Sequence, residues 1–410
     1  MLSVPFVSGV DQFSVSDGWF RTRTAPQTLL FVDGEGAAAI TELRWAGSSG
    51  HGYTLGNLIV GQVVFSRPRE LRDQYRFVSV MSKIDGLAEF ARFRPITSNL
   101  DFGALPLTVT VNPFEVVSWR HGGFTHRIRA NAPWRFNAEG DFTANSEAFI
   151  ETTKSRKATA DEHITAQWPL RALLILAHGE QLHWRGHEIE DKQFPTWMMD
   201  GSIGEPTSIE LQTRRTIRDL DQPPIDRKKL KTPIFHLADV GSRGLRRWFT
   251  LYEDEAFRRA IEPTVEVING ASRFLEPRIM MTTLGLDAMG YFLDADRARG
   301  TALHKQILRC ITATKHDWSV IGPDVGIARA IANVNNDLKH PDRLSRPDSR
   351  DLKLLDALAT VIMRLQVFEL LGLPKELRQF AYGSNEVFRA VDEFRLNGVT
   401  ITVDGAIVRS

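Results

Sequence analysis

Asp219-Leu-Asp-Gln-Pro-Pro-Ile-Asp-Arg-Lys-Lys-Leu-Lys-Thr-Pro233 decides how this chain is organised. Prolines and charges follow one another there without helical or strand period, which is the composition of a linker. Before it the apolar residues come in short runs between turn signals, as strands do. After it they recur every three or four residues, the period of helices. The expected fold class is therefore α+β and multidomain. An antiparallel β-rich N-terminal domain covers residues 1–230, and an all-α helical bundle follows over residues 234–410. A chain of 410 residues has room for two domains of ordinary size.

Upstream of the linker, residues 28–32 and 37–43 flank Asp33-Gly34-Glu35-Gly36, a hairpin turn. Residues 107–111 and 114–119 surround Asn112-Pro113, and residues 125–130 follow Gly122-Gly123. Seven of the nine tryptophans lie in this half, which suits half-buried sheet positions. Residues 168–178 are apolar and fit a helix on the sheet, though periodicity alone leaves that open. Downstream, residues 272–294, 302–313, 325–339 and 352–371 read as helices. The last carries Leu354, Leu358, Val361, Leu365 and Phe368 on one stripe and stops at Gly372 and Pro374. Residues 399–403 and 406–408 around Asp404-Gly405 read as a small hairpin.

Hydrophobic residues at 42% and charged residues at 25% exclude wholesale disorder. A net charge of +1 gives no global attraction to nucleic acid, so any RNA contact rests on local patches. Residues 1–20 lack a basic head followed by an apolar core, so no signal peptide is expected. No apolar run approaches the roughly 20 residues of a membrane span. The single cysteine, Cys310, permits no internal disulfide, and a cytoplasmic location is expected.

The chemistry concentrates in Gly326-Ile-Ala-Arg-Ala-Ile-Ala-Asn-Val-Asn-Asn-Asp-Leu-Lys-His-Pro-Asp-Arg343. On a helix, Arg329, Asn333, Asn336 and His340 share one polar face, opposite Ile327, Ile331, Val334 and Leu338. The residue before a proline is pushed out of the helical region, so the helix ends near His340. The carbonyl end of a helix dipole favours a cation there. A histidine so placed suits general acid–base work on a ribose hydroxyl or a leaving oxygen.

Residues 234–239 (Ile-Phe-His-Leu-Ala-Asp), then 245–249 (Leu-Arg-Arg-Trp-Phe), then 272–275 (Ser-Arg-Phe-Leu), then Asn335-Asn-Asp-Leu-Lys-His340, and a final helix ending Glu369-Leu-Leu-Gly-Leu-Pro374 follow one another in that order. In this order and spacing the chain resembles, over most of its length, the HEPN ribonuclease-like proteins of the ApeA type, which act in bacterial anti-phage defence. The resemblance implies a HEPN-like helical bundle behind an N-terminal sensor domain. It implies a homodimer through the helical domain and RNA, tRNA among the candidates, cut without a metal or other cofactor in abortive infection. A phage-derived trigger is the implied partner, with no membrane. It also implies that His340 acts as acid or base, with Asn335, Asn336 and Lys339 beside it and Arg329, Asn333 and Arg343 toward RNA. The chain departs from the family in one respect: Asn335 stands where the family has arginine, which removes a charge from the phosphate site. Arg329 lies eleven residues before His340, roughly 16 Å along a helix axis, too far to share one phosphate with it.

Bare Arg-to-His spacing carries little weight, because Arg120/His126, Arg156/His163, Arg171/His178, Arg297/His304, Arg299/His304 and Arg309/His316 satisfy it too. An Asn/His/Arg stripe is equally a solvated face or a polar seam in a dimer, and the alternative function is a catalytically inactive HEPN-like module that binds and regulates. Arg227-Lys-Lys-Leu-Lys231 reads as a solvated linker before a phosphate contact. His183 and His187 share a strand face without further metal ligands. No carboxylate pair stands out for carbohydrate chemistry.

Overall fold

The computed structural model of the protein describes residues 2–3, 11, 25–34, 36–49, 55–92, 95–99, 108–112, 115–137, 141–198, 200–296, 300–340, 342, 347–374, 376–377 and 385–409. Nine strands of the N-terminal half form one sheet: β1 (Thr28–Val32), β2 (Ala37–Thr41), β3 (Gln62–Val64), β4 (Arg76–Ile84), β5 (Glu115–His121), β6 (Phe124–Asn131), β7 (Glu147–Thr159), β8 (Trp184–Ile189) and β9 (Ile209–Thr213). Their spatial order is β5-β6-β7-β4-β8-β9-β3-β2-β1, and every pairing is antiparallel. The hairpin at Asp33–Gly36 forms as its turn residues dictate, with Asp33 N–H donating to the Gly36 carbonyl at 3.0 Å. Gly122-Gly123 likewise turns β5 into β6. Thr108–Val111, in contrast, leaves the main sheet and pairs with Ile96–Asn99.

A short helix α1 (Leu87–Ala91) follows β4, and β7 runs directly into α2 (Ala160–His178). Thr159 and Glu162 close a capping box there: Thr159 Oγ1 accepts from Glu162 N–H at 3.2 Å, and the Glu162 carboxylate accepts from Thr159 N–H at 2.7 Å. The apolar run at residues 168–178 is thus only the second half of a 19-residue helix. Its first half hides its period because polar residues face the sheet. His163 sits 2.9 Å from Thr152 Oγ1, Gln167 donates to the Val80 carbonyl at 3.1 Å, and Arg171 donates to the Leu182 carbonyl and Asp219 at 2.9 and 2.7 Å. Each is buried and each is hydrogen-bonded, as buried polar groups must be.

The C-terminal half is helical: α3 (Leu237–Glu253), α4 (Glu255–Ile268), α5 (Leu275–Leu293), α6 (Leu303–Thr314), α7 (Asp324–Lys339), α8 (Ser349–Leu371) and α9 (Asn385–Leu396). A last hairpin pairs Val399–Ile401 with Ile407–Arg409. The molecule is α+β, and α5 to α8 begin and end within three residues of the periodic segments. Helix α8 is buried on nearly every face, which makes it the centre of the helical layer.

The two halves nevertheless share one apolar core. Leu173 and Ile175 of α2, Trp184 of β8, Trp248 and Phe249 of α3, and Leu358 and Phe368 of α8 belong to a single buried cluster. Trp248 donates its indole N–H to the Pro169 carbonyl at 2.7 Å. Arg364 of α8, fully buried, donates to the carbonyls of Leu176 (2.6 Å) and Ala177 (2.9 Å) at the end of α2. It sits where Gly179, at φ 66°, leaves no side chain in its way. Burial depresses the Arg364 pKa to about 9, still a cation at neutral pH. The linker is therefore no free tether. Arg185 grips the carbonyls of Gln222 and Pro223, and the Lys231 backbone bonds to Glu180. Residues 219–233 mark the change from strands to helices, and the apolar core continues across them. Two tryptophans depart from the half-buried reading. Trp134 is 63% exposed and Trp197 is 38% exposed, while Trp19 lies outside the described residues.

Candidate functional site

Helix α7 is held along its apolar side by α5, α6 and α8 and at its start by the C-terminal hairpin. Gly326 permits that approach, since a Cβ there would run into the Thr402 carbonyl oxygen. Ile327, Ile331 and Val334 are buried, as their spacing requires, and Leu338 is partly so. The helix stops at His340, whose N–H donates to the Asn336 carbonyl at 3.1 Å, just before Pro341.

The polar face divides into two parts. Arg329 donates to the Val403 carbonyl at 3.0 Å and approaches Asp404 at 3.4 Å, so the hairpin holds it at the far end of the helix. Asn333 is exposed and Asn336 half-buried, while Lys339 and His340 are exposed. The last turn thus brings Asn336, Lys339 and His340 together and leaves Arg329 out. Arg343 lies outside the described residues.

Asn335 differs from expectation. It is 1% exposed, and its amide nitrogen has no hydrogen-bond partner among the described residues. The reason is positional: 335 follows Ile327 and Ile331 at intervals of four, on the row that faces the core. Within one chain its amide does not face a substrate phosphate, which corrects that expectation. A charged neighbour that the sequence reading missed is Asp287 of α5. Burial raises its carboxyl pKa while Lys339 pulls it the other way. The signal was available, as a carboxylate between Leu286 and Ala288 in the apolar second half of the helix.

Other histidines have structural duties. His187 lies 2.7 Å from Ser82 Oγ and 2.8 Å from Thr216 Oγ1, and burial lowers its pKa to about 4. His178, also buried, sits between the carbonyls of Lys231 and Gly86 at 2.8 and 3.0 Å. Arg171 and His178 therefore meet the Arg-to-His spacing as core groups. Arg299 lies outside the described residues, so that pair is not placed. No group of three or more metal-ligating side chains occurs among the described residues. No helix among them is long and apolar enough to cross a membrane.

Chemically, the end of α7 offers one exposed imidazole and one exposed ammonium. That suffices for a proton transfer next to an anion, and among the described residues of that turn there is no guanidinium fork for a phosphate. No family model, no curated protein and no solved structure matches this chain.

Proposed function

We propose that this chain is an ApeA-type HEPN protein of anti-phage defence, in which two copies join their α7 helices to form one RNA-cleaving site. The observation that carries the reading is His340, exposed at a helix terminus beside Lys339 and free of ion pairs among the described residues. In the reaction, His340 of one copy takes the proton of an RNA 2′-hydroxyl, and the 2′-oxygen attacks the adjacent phosphorus. The P–O5′ bond breaks, leaving a 2′,3′-cyclic phosphate, and the departing 5′-oxygen becomes a hydroxyl by taking a proton from an imidazolium of the paired His340 side chains. Lys339, with its counterpart across the dimer axis, balances the phosphate charge that the buried Asn335 does not. The expected setting is the cytoplasm, with the sheet domain receiving a phage-derived trigger.

One observation favours the second reading, a non-cutting HEPN-like binding module: the family's arginine position is both uncharged and buried here. The experiment that separates them incubates full-length protein with end-labelled RNA in a chelator and analyses the product ends. Cyclic-phosphate termini together with a dimer in sedimentation support the nuclease. Intact RNA with a stable dimer supports the binding module.

A further inference from the structure

We propose that a groove around the start of α2 binds a nucleoside phosphate, its base in an aromatic cleft and its phosphates on cations of β7. The inference goes beyond the ribonuclease reading and does not depend on it. The cleft lies where the sheet meets α3 and α4 and has a volume of about 820 Å³. Small-molecule sites span about 300–1,000 Å³, so its size suits a nucleotide base and ribose. Phe124, Trp168, Phe249 and Tyr252 wall it. Trp168 alone of the four is only partly buried, and an aromatic face of that kind stacks any base.

His126 lines the same cleft and points to a ligand independently. It is 0% exposed and stacks on Trp119 with ring centres 5.1 Å apart, yet among the described residues no hydrogen bond of ordinary geometry reaches either of its ring nitrogens, the His121 backbone acting on it only weakly. Buried polar atoms seldom stay unpaired in a finished structure, and a base edge offers both donors and acceptors. Glu253 and Glu262 supply carboxylates suited to an exocyclic amine; at present they accept from His121 at 2.9 Å and the Tyr252 hydroxyl at 3.3 Å.

The phosphate end lies next door. A second pocket of about 520 Å³ is lined by Arg76, Lys154, Arg156 and Lys157, and it shares Glu162 with the first. The ladder between β7 and β4 shifts register between Thr153 and Ala158, which lifts the intervening cations out of the regular sheet. Lys157 is held by Asp191 at 3.0 Å and Arg76 by Glu162 at 3.0 Å. Lys154 and Arg156 are in no ion pair among the described residues. Lys154 Nζ sits 4.4 Å from the centre of the Phe124 ring, where the two pockets meet. The positive end of the α2 dipole adds to that side. This polarity favours one orientation: in the cleft four carboxylates outnumber Arg215 and Arg258, and in the second pocket four cations face Glu162.

The test uses full-length protein and calorimetry with the four ribonucleoside triphosphates, adenosine and guanosine, and inorganic tripolyphosphate. At least one nucleotide is expected to saturate, with nucleoside and tripolyphosphate each weaker by roughly tenfold or more. Lys154→Ala with Arg156→Ala, both away from the core, should weaken it by a similar factor at an unchanged melting temperature. Glu253→Gln should alter the ranking between bases with and without an exocyclic amine. A short 5′-triphosphorylated RNA that binds as tightly as the free nucleotide identifies a strand end as the source, and one that does not identifies the free nucleotide. Lack of saturation by any nucleotide up to about 1 mM overturns the proposal. So does tripolyphosphate binding equally well, or a double variant that binds like the parent.

Discussion

Replacing Arg364 by methionine removes a buried, charged tie between the two halves at nearly constant volume. Its guanidinium donates to two carbonyls at the C-terminal end of α2, at 2.6 and 2.9 Å, where the helix dipole favours a cation. Hydrogen bonds to charged groups contribute about 1.5–3 kcal/mol each, and the dipole about 0.3–1 kcal/mol. Against that gross gain stands the desolvation of a fully buried cation, which methionine avoids. The two carbonyls, however, stay buried without their donor. A net loss of about 2–4 kcal/mol follows. Urea unfolding followed by circular dichroism and tryptophan fluorescence measures it, with one transition expected because the core is continuous across the linker. Arg364→Lys should recover part of the loss, since an ammonium keeps the charge but not the fork. A midpoint unchanged in Arg364→Met, or a sheet and helices that melt separately, would refute the reasoning.

Residues 234–410 alone should be poorly soluble or molten, because Ile234, Phe235, Trp248 and Phe249 lose the α2 and sheet surface that buries them; a cooperative melt of that fragment would show two independent cores. Stability should fall as the pH drops from about 6.5 toward 4. His187 has a folded-state pKa of about 4, so in that window the unfolded chain binds a proton that the folded chain refuses. The contribution is fully present above the unfolded pKa and is worth on the order of 3 kcal/mol. Thermal melts at pH 7 and 5 test it, and His187→Gln should flatten the slope; identical midpoints at both pH values would contradict it. Asn335→Arg should lower the melting temperature, by an amount equivalent to roughly 2 kcal/mol or more, because it forces a cation onto the buried row of α7. Asn336→Arg, on the half-buried side, is the variant expected to raise RNA cleavage at little cost in stability.

Much of the helical layer was legible because α6 and α7 pack one face and expose another, while α8, buried on nearly every face, carries an apolar period long enough to stand out. The period of Leu354, Leu358, Val361, Leu365 and Phe368 survives unaltered in α8. The first half of α2 was not legible, since His163, Gln167 and Arg171 face the sheet and break the apolar pattern from within. Hairpins with glycine turns could be read, but the order of nine strands could not. Pairings such as β7 with β4 join residues more than sixty positions apart and leave no local trace. The burial of Asn335 was in principle readable by counting fours from Ile327. The aromatic cleft was not, because its walls come from β6, α2 and α3, which are distant in sequence.

Cleavage of RNA by full-length His340→Ala protein tests the central claim most directly. The imidazole is exposed at the last turn of α7, so the fold and dimer should survive its removal. General acid–base help is worth about 10²–10⁴ in rate. The expected result is a loss of that size in the formation of cyclic-phosphate ends, together with loss of protection against phage. A variant that cuts RNA and protects cells as well as the parent would contradict the account and remove His340 from the chemistry.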